Sequence, residues 1–151
     1  MGSVMFVVTL TLTRPAKIEG VKGDIAYVRL ELDDSPLSTA IVEALKTSPR
    51  EVVQARWSGL CSCVLLGDDF TAPEGTEEGE MRVTLGKGDV VYSPKFRELV
   101  LAYDHAEFWD DQEADESPCR VIGQVIHGSR EKMIEVGEDI WRKGVMEVKI
   151  E

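Results

Sequence analysis

The chain has 151 residues, of which 43% are hydrophobic, and this size and composition predict one domain that buries roughly 70% of its unfolded surface. It carries 28 acidic residues against 17 basic ones, so the formal net charge is -11. That charge argues against nucleic acid and against anionic membranes as partners, because both require a basic face.

The first third of the chain predicts two strands followed by a helix. Apolar and β-branched residues over 4–13 predict a strand, and a turn region at 14–23 separates it from an alternating strand at 24–34. Residues 36–47 then take helical spacing, with Ser35 as the N-cap and a proline in the first turn.

The middle of the chain predicts further strands, separated by an acidic loop. Residues 51–67 have strand character throughout, and Gly59 is a candidate β-bulge within them. A loop rich in glycine, proline and acidic residues follows at 67–80. Three strands come next, at residues 81–85, 89–93 and 97–104.

The last third predicts a long solvated loop, a strand, a short helix and a closing strand. The loop is residues 104–117, which carry seven acidic side chains. The other three elements are predicted at 118–128, about 129–136 and 144–151. Seven or eight strands and two helices, without strand–helix–strand alternation, favour a mainly β fold: a closed or nearly closed barrel with helices over its ends.

Four segments carry a resemblance to a known family. Residues 120–137, RVIGQVIHGSREKMIEVG, resemble the cyclophilin segment in which a strand runs into a glycine turn and then a short helix. ARWSG, GDVVYSP and LAYDHAEFWDD are similar to segments of small bacterial and archaeal cyclophilin-like domains of unknown function. The resemblance covers roughly residues 24–151 and implies a cyclophilin-like β-barrel with about two helices, which does not by itself imply an activity.

The resemblance also implies where an active site would lie. Cyclophilins are peptidyl-prolyl isomerases whose site combines an arginine with an apolar proline pocket and a glutamine. Arg56, in the triplet Gln54-Ala55-Arg56, takes the place of that arginine. The pocket residues of the family are replaced here, by LCSCVLL at 60–66 and by RELV at 97–100.

These observations leave three functions open. The leading expectation is a non-catalytic domain that binds a small molecule or an extended peptide in a groove near Arg56. The alternative is an enzyme in the same groove, either a degenerate prolyl isomerase or another activity. The third is an accessory protein-interaction subunit, and a homo-oligomer is left open as well.

Five further residues are candidates for lining that groove. If residues 51–67 form one strand, Ser58 and Ser62 share the face of Arg56, where a guanidinium and two hydroxyls can bind a carboxylate or an amide. Tyr92 and Tyr103 flank a predicted hairpin and can reach the same groove. The alternative is an outer-wall salt bridge for the arginine, with the tyrosines anchoring the barrel rim.

His105 is the fifth candidate, since it lies next to acidic residues in the loop at 104–117. A histidine paired with a carboxylate can act as a base. No serine or cysteine nucleophile stands in a recognisable motif, so a solvated histidine is the competing interpretation.

Cys61 and Cys63 are two residues apart, so a strand places both thiols on one face. Buried structural thiols are expected, with a redox pair or a soft-metal site as alternatives. The odd number of cysteines, Cys119 being the third, together with the lack of a secretory signal, favours a reducing, cytoplasmic location.

No metal or cofactor is expected. The acidic residues at 104–117 lack the ligand spacing of an EF-hand, and the glycines at 86–88 lack the length and the following helix of a P-loop. Residues 1–151 are expected to form a single domain, in which residues 1–3 resemble a cloning remnant.

Overall fold

The structure, a computed structural model, describes residues 5–16, 18–21, 23–54, 59–110 and 115–151. The strands in this part of the chain are β1 (Met5–Arg14), β2 (Asp24–Asp33), β3 (Arg50–Gln54), β4 (Gly59–Leu65), β5 (Met81–Arg82), β6 (Thr84–Leu85), β7 (Asp89–Ser93), β8 (Glu98–Glu107), β9 (Trp109–Asp110), β10 (Asp115–Glu116), β11 (Cys119–Val125) and β12 (Met146–Ile150). The α-helices are α1 (Pro36–Thr47) and α2 (Arg130–Lys143).

Eight of the described strands form a ring of antiparallel pairs. Their order is β2-β1-β12-β3-β4-β8-β7-β11, and β11 pairs back with β2 to close it. The closing register places Gly123 opposite Leu32 and Val125 opposite Leu30. The predicted mainly β fold with two helices is confirmed, and the ring is consistent with a nearly closed barrel.

Helix α1 has the bounds that the sequence predicts, 36–47. The hydroxyl of Ser35 accepts a hydrogen bond from the Ser38 N–H at 3.1 Å, and the Ser38 hydroxyl donates to Asp33 Oδ1 at 2.7 Å. These bonds satisfy an N-terminal N–H of the helix and tie it to the end of β2. The helix buries Leu37, Ile41 and Leu45 against the inside of the ring.

Helix α2 extends seven residues beyond the predicted end at 136, to Lys143. Its buried side chains Met133, Val136 and Ile140 keep helical spacing across Gly137, so the helix packs on the sheet beyond that glycine. Arg142 and Lys143 lie one turn from Glu138 and Asp139 and pair with them. These ion pairs add modest support to the last turns.

The apolar residues divide into two groups on opposite faces of the sheet. The inner core gathers side chains from the ring and from both helices, including Leu10, Leu30, Val64 and Leu101. A second group, which we call the outer cluster, lies on the other face of β4, β7, β8 and β11. Its buried members are Cys61, Cys63, Leu85, Val91, Val100, Ala102, Ala106, Phe108 and Cys119.

The prediction of one strand over residues 51–67 is wrong. β3 and β4 are separate antiparallel strands, with Val52 opposite Val64 and Gln54 opposite Ser62. The alternation of side chains along one strand therefore does not apply to Arg56 and Ser62, and it cannot place them on the same face. Gly59 is the first residue of β4 rather than a bulge inside one strand, and where the register between β4 and β8 shifts, the extra residues lie on β8, between Ala102 and Ala106.

The prediction of a solvated loop over 104–117 is also wrong at its beginning. β8 continues to Glu107, and β9 and β10 pair as a short hairpin after it. Ala106 and Phe108 are buried in the outer cluster, while Asp104 and Glu107 are exposed. These two acidic residues are therefore the solvent-facing residues of a strand and not part of a loop. Among the helices of the described ranges, none is long and apolar enough to span a membrane.

Candidate functional site

A short chain of hydrogen bonds lies where β3 ends and β4 begins. The Tyr103 hydroxyl, on β8, donates to Gln54 Oε1 at 2.8 Å, and Gln54 Nε2 donates to the Gly59 carbonyl at 2.9 Å. Tyr103 is 5% exposed, whereas Gln54 is partly exposed. The three groups therefore connect the inner core with the solvent-accessible rim of the ring.

Ser62 adds a polar group beside this chain. It stands opposite Gln54 on β3 and opposite Leu101 on β8, so its side chain lies on the inner face. The residue is fully buried, and among the residues that the structure describes none forms a hydrogen bond with its hydroxyl. An unpaired buried hydroxyl costs about 1–3 kcal/mol, which a ligand that bonds to it would recover.

Helix α2 fixes the position of the Tyr103 ring. Gly137 packs against this ring so closely that a Cβ atom at residue 137 would overlap with it. Burial raises the pKa of the Tyr103 hydroxyl, and the charge of Glu138 adds to the rise. The hydroxyl consequently stays protonated at neutral pH and available as a donor to Gln54.

The predicted groove residues do not all lie at this rim. Ser62 on β4 and Tyr103 on β8 lie there, on neighbouring strands. Arg56 and Ser58 lie outside the described residues. Tyr92 stands opposite Leu99, four residues along β8 from Tyr103, and its ring packs against Phe70 with centroids 5.6 Å apart. Tyr92 therefore lies toward the other end of the ring, and burial raises the pKa of its hydroxyl.

His105 projects into solvent near the same rim. Its side chain is 64% exposed, and its Nε2 atom lies 3.2 Å from Glu107 Oε1. Its backbone carbonyl packs close to Gly59. The imidazole therefore lies at the surface beside a carboxylate, whereas Tyr103 and Ser62 are buried.

The outer cluster brings the three thiols together with a carboxyl group. As predicted, Cys61 and Cys63 share one face, opposite Ala102 and Val100, and all three cysteines are buried and free. Hydrogen bonding to Cys61, burial and the nearby Glu98 raise the pKa of the Cys63 thiol well above its usual value. Burial also raises the pKa of Cys119, to about 12.

These thiols are poor nucleophiles, because the thiolate is the reactive form and burial disfavours it. Burial raises the pKa of Glu98 too, although a hydrogen bond with Cys63 opposes the rise. Among the residues whose placement the structure describes, no group of three or more His, Cys, Asp or Glu side chains is arranged to hold a metal ion.

Sequence reasoning missed Gln54 and Glu98 as members of these two groups. Gln54 drew attention only as the neighbour of Arg56, since its link to Tyr103 depends on β3 and β4 being separate strands. Glu98 lies on the face of Cys63 because Cys63 stands opposite Val100, and that register is invisible in the sequence. Alternation along β8 indicates the face of Glu98 only once the register is known.

Comparison with known proteins shows the fold alone. No protein-family model and no curated protein matches the chain. The chain is similar to a solved structure of McbB in complex with tryptophan, with a TM-score of 0.57 and 17% sequence identity. The match covers 93% of this chain and 44% of the McbB chain, so this chain spans less than half the length of that protein.

Proposed function

We propose that this domain binds a small molecule or an extended peptide at the rim where β3 and β4 meet, through a carboxylate or amide oxygen of the ligand. The observation that carries the proposal is the buried hydroxyl of Ser62, which has no partner within the described ranges and lies beside the hydrogen-bonded pair of Tyr103 and Gln54. Buried polar groups are usually satisfied, so an unsatisfied one next to a partly exposed network suggests a missing partner.

The sequence supplies the second argument. Arg56 belongs to the four residues that join β3 to β4, and a guanidinium is the side chain best suited to a carboxylate or an amide oxygen. With a net charge of -11, the rest of the chain offers an anionic ligand little general attraction. A specific cation is therefore what such a ligand requires.

The structural likeness is compatible with this ligand class. Tryptophan, present in the McbB structure, is a small molecule with a carboxylate. At 17% identity this supports only the choice of ligands to test first. We also keep the cyclophilin-like relationship as a proposal; it places the binding groove at the same arginine.

A ligand screen with two variants tests the proposal. Free amino acids, their des-amino acids and short peptides are titrated by calorimetry, and a ligand with a Kd of about 1 mM or tighter is expected. Ser62→Ala should weaken its binding about fivefold or more while the free energy of unfolding stays constant or rises, because the lost hydroxyl had no partner. Arg56→Ala should weaken the binding of carboxylate ligands, whereas Arg82→Ala, at a side chain 44% exposed, should not.

If no carboxylate or amide ligand binds, or if Ser62→Ala leaves affinity unchanged, the proposal fails. The enzyme alternative has its own assay, the isomerisation of a proline peptide. A background rate is expected, because the residues at 60–66 and 97–100 do not supply the apolar pocket that would hold the proline ring. A rate above background that vanishes in Arg56→Ala, with folding intact, would favour the isomerase instead.

A further inference from the structure

The hydrogen bonds at Gln54 fix the direction of every proton in the chain from Tyr103 to Gly59. A carbonyl oxygen only accepts, so the group of Gln54 that faces Gly59 must be its NH2, and the group that faces Tyr103 must be its carbonyl oxygen. Tyr103 then has to donate its single proton to Gln54. What remains on the Tyr103 hydroxyl is acceptor capacity alone.

The negative charge near the Tyr103 hydroxyl also favours a hydrogen-bond donor from the ligand. Glu138, one residue beyond the glycine that packs on the Tyr103 ring, is close enough to raise the pKa of the hydroxyl. Its counter-ion, Arg142, lies 3.8 Å away on the exposed side of α2. An acceptor oxygen beside a carboxylate is a favourable environment for a positively charged donor.

From these contacts we propose that the ligand group at Tyr103 is a protonated amine, as in a free amino acid or the amino terminus of a peptide. This inference rests on the proposed function and narrows it. Ser62 can both donate and accept, so its hydroxyl remains available for the carboxylate or amide oxygen. The site then recognises both ends of one α-amino acid unit.

The experiment compares ligands that differ only in the amine. Each of the twenty amino acids is titrated beside its des-amino acid, which keeps the carboxylate and the side chain. Dipeptides form a third arm, since they keep the amine and move the carboxylate away. An amine-bearing ligand should bind at least about tenfold more tightly than its des-amino partner, the size of one hydrogen bond to a charged group.

Two variants connect that preference to the proton direction. Tyr103→Phe keeps the ring against Gly137 and should remove the tenfold preference for the amine while the des-amino acids bind as before. Gln54→Leu removes the acceptor of the Tyr103 proton, so the hydroxyl can donate this proton to a ligand. The preference for the amine should then fall about as far as in Tyr103→Phe. Tyr27→Phe, at a tyrosine 56% exposed, is the matched control and should change nothing.

The outcomes separate the two proposals. If amino acids and des-amino acids bind equally, or if Tyr103→Phe weakens both to the same degree, the amine inference is overturned and the binding function stands. If nothing in the three arms binds, both are overturned. Tighter binding of free amino acids than of dipeptides assigns the site to the free acid, and the reverse assigns it to a peptide terminus.

Discussion

At the scale of single residues, two carboxyl groups respond to pH in opposite directions. Burial holds the pKa of Glu98 above its usual value, with Cys63 only partly compensating. Asp139 is also subject to burial, but hydrogen bonds from Arg14 and Lys143 outweigh it and lower the pKa. Glu98 therefore costs stability at neutral pH, and Asp139 contributes to it.

The pH dependence of unfolding should show this difference. The folded protein keeps the Glu98 proton in a range where the unfolded chain has lost it, so the stability contributed by protonated Glu98 is present below its unfolded pKa and lost as the pH rises through the folded pKa. In urea denaturation between about pH 4 and pH 7, the free energy of unfolding of the wild type should decline relative to that of Glu98→Gln.

Asp139→Asn provides the opposite control. The folded-state pKa of Asp139 is depressed, so its contribution is present above the unfolded pKa and lost as the pH falls through the folded one. The wild type should therefore lose its advantage over Asp139→Asn on acidification. Parallel stability curves for the wild type and Glu98→Gln would contradict the placement of Glu98 in a desolvated site.

The three thiols make a second prediction at this scale. Cys61 and Cys119 have no exposed surface and Cys63 has 4%. Burial excludes the reagent from all three thiols, and the raised pKa values of Cys63 and Cys119 suppress their thiolates. A disulfide reagent should therefore label none of the three rapidly in the native protein and all three in denaturant. Val145→Cys, at a position 46% exposed, supplies a fast-reacting control. Rapid native labelling of Cys63 would show that the outer cluster opens.

At the scale of elements, α2 and β8 are joined through Gly137 and Tyr103. In an exposed helix, Gly→Ala gains roughly 1 kcal/mol of helix propensity. Here the new methyl would overlap with the Tyr103 ring. The ring cannot move away without losing its hydrogen bond to Gln54, so the packing cost outweighs the gain in propensity.

Gly137→Ala should therefore lower the free energy of unfolding by about 1–3 kcal/mol, measured by chemical denaturation. Gly128→Ala, where a Cβ atom meets nothing within 4 Å, should change it little. In a Tyr103→Leu background the penalty at residue 137 should largely disappear, since the two changes share one contact. An equal penalty in both backgrounds would mean that the ring is not the obstacle.

The elements also show what the sequence could predict. The limits of α1 follow from local chemistry, the Ser35 cap and the proline after it, and these signals are readable in any sequence. The division of 51–67 into β3 and β4 was not predicted, because Gly59 was interpreted as a bulge within one strand, although the dipeptide Ser58-Gly59 is also typical of turns. The pairing of Gln54 with Ser62, and with it most of the candidate site, depends on that division into two strands.

The thiols illustrate the same distinction. That Cys61 and Cys63 share a face follows from the period of a strand, which needs no partner. That Cys119 and Glu98 join them depends on which strands are neighbours in the ring, and β11 lies more than fifty residues further along the chain. Contacts within one element were predictable, whereas contacts set by the closing of the ring were not.

At the scale of the whole molecule, the ring closes at Gly123. This residue pairs with Leu32 of β2, and its backbone approaches the Glu31 carbonyl so closely that a Cβ atom would overlap with it. The register between β11 and β7 also shifts between Val121 and Gly123. A glycine at this irregularity lets the backbone of β11 approach β2 closely on one side while it pairs with β7 on the other.

Gly123→Ala should consequently weaken the closure of the ring rather than the ring as a whole. The added methyl meets backbone, which moves only if β2 and β11 separate, so a loss of about 3 kcal/mol in the free energy of unfolding is expected. Hydrogen exchange should locate the effect: amides of residues 30–32 and 123–125 should lose protection, while those of β3 and β4 retain it up to global unfolding. Equal loss of protection in both regions, or a variant as stable as Gly128→Ala, would show that closure at Gly123 does not limit the stability of the ring.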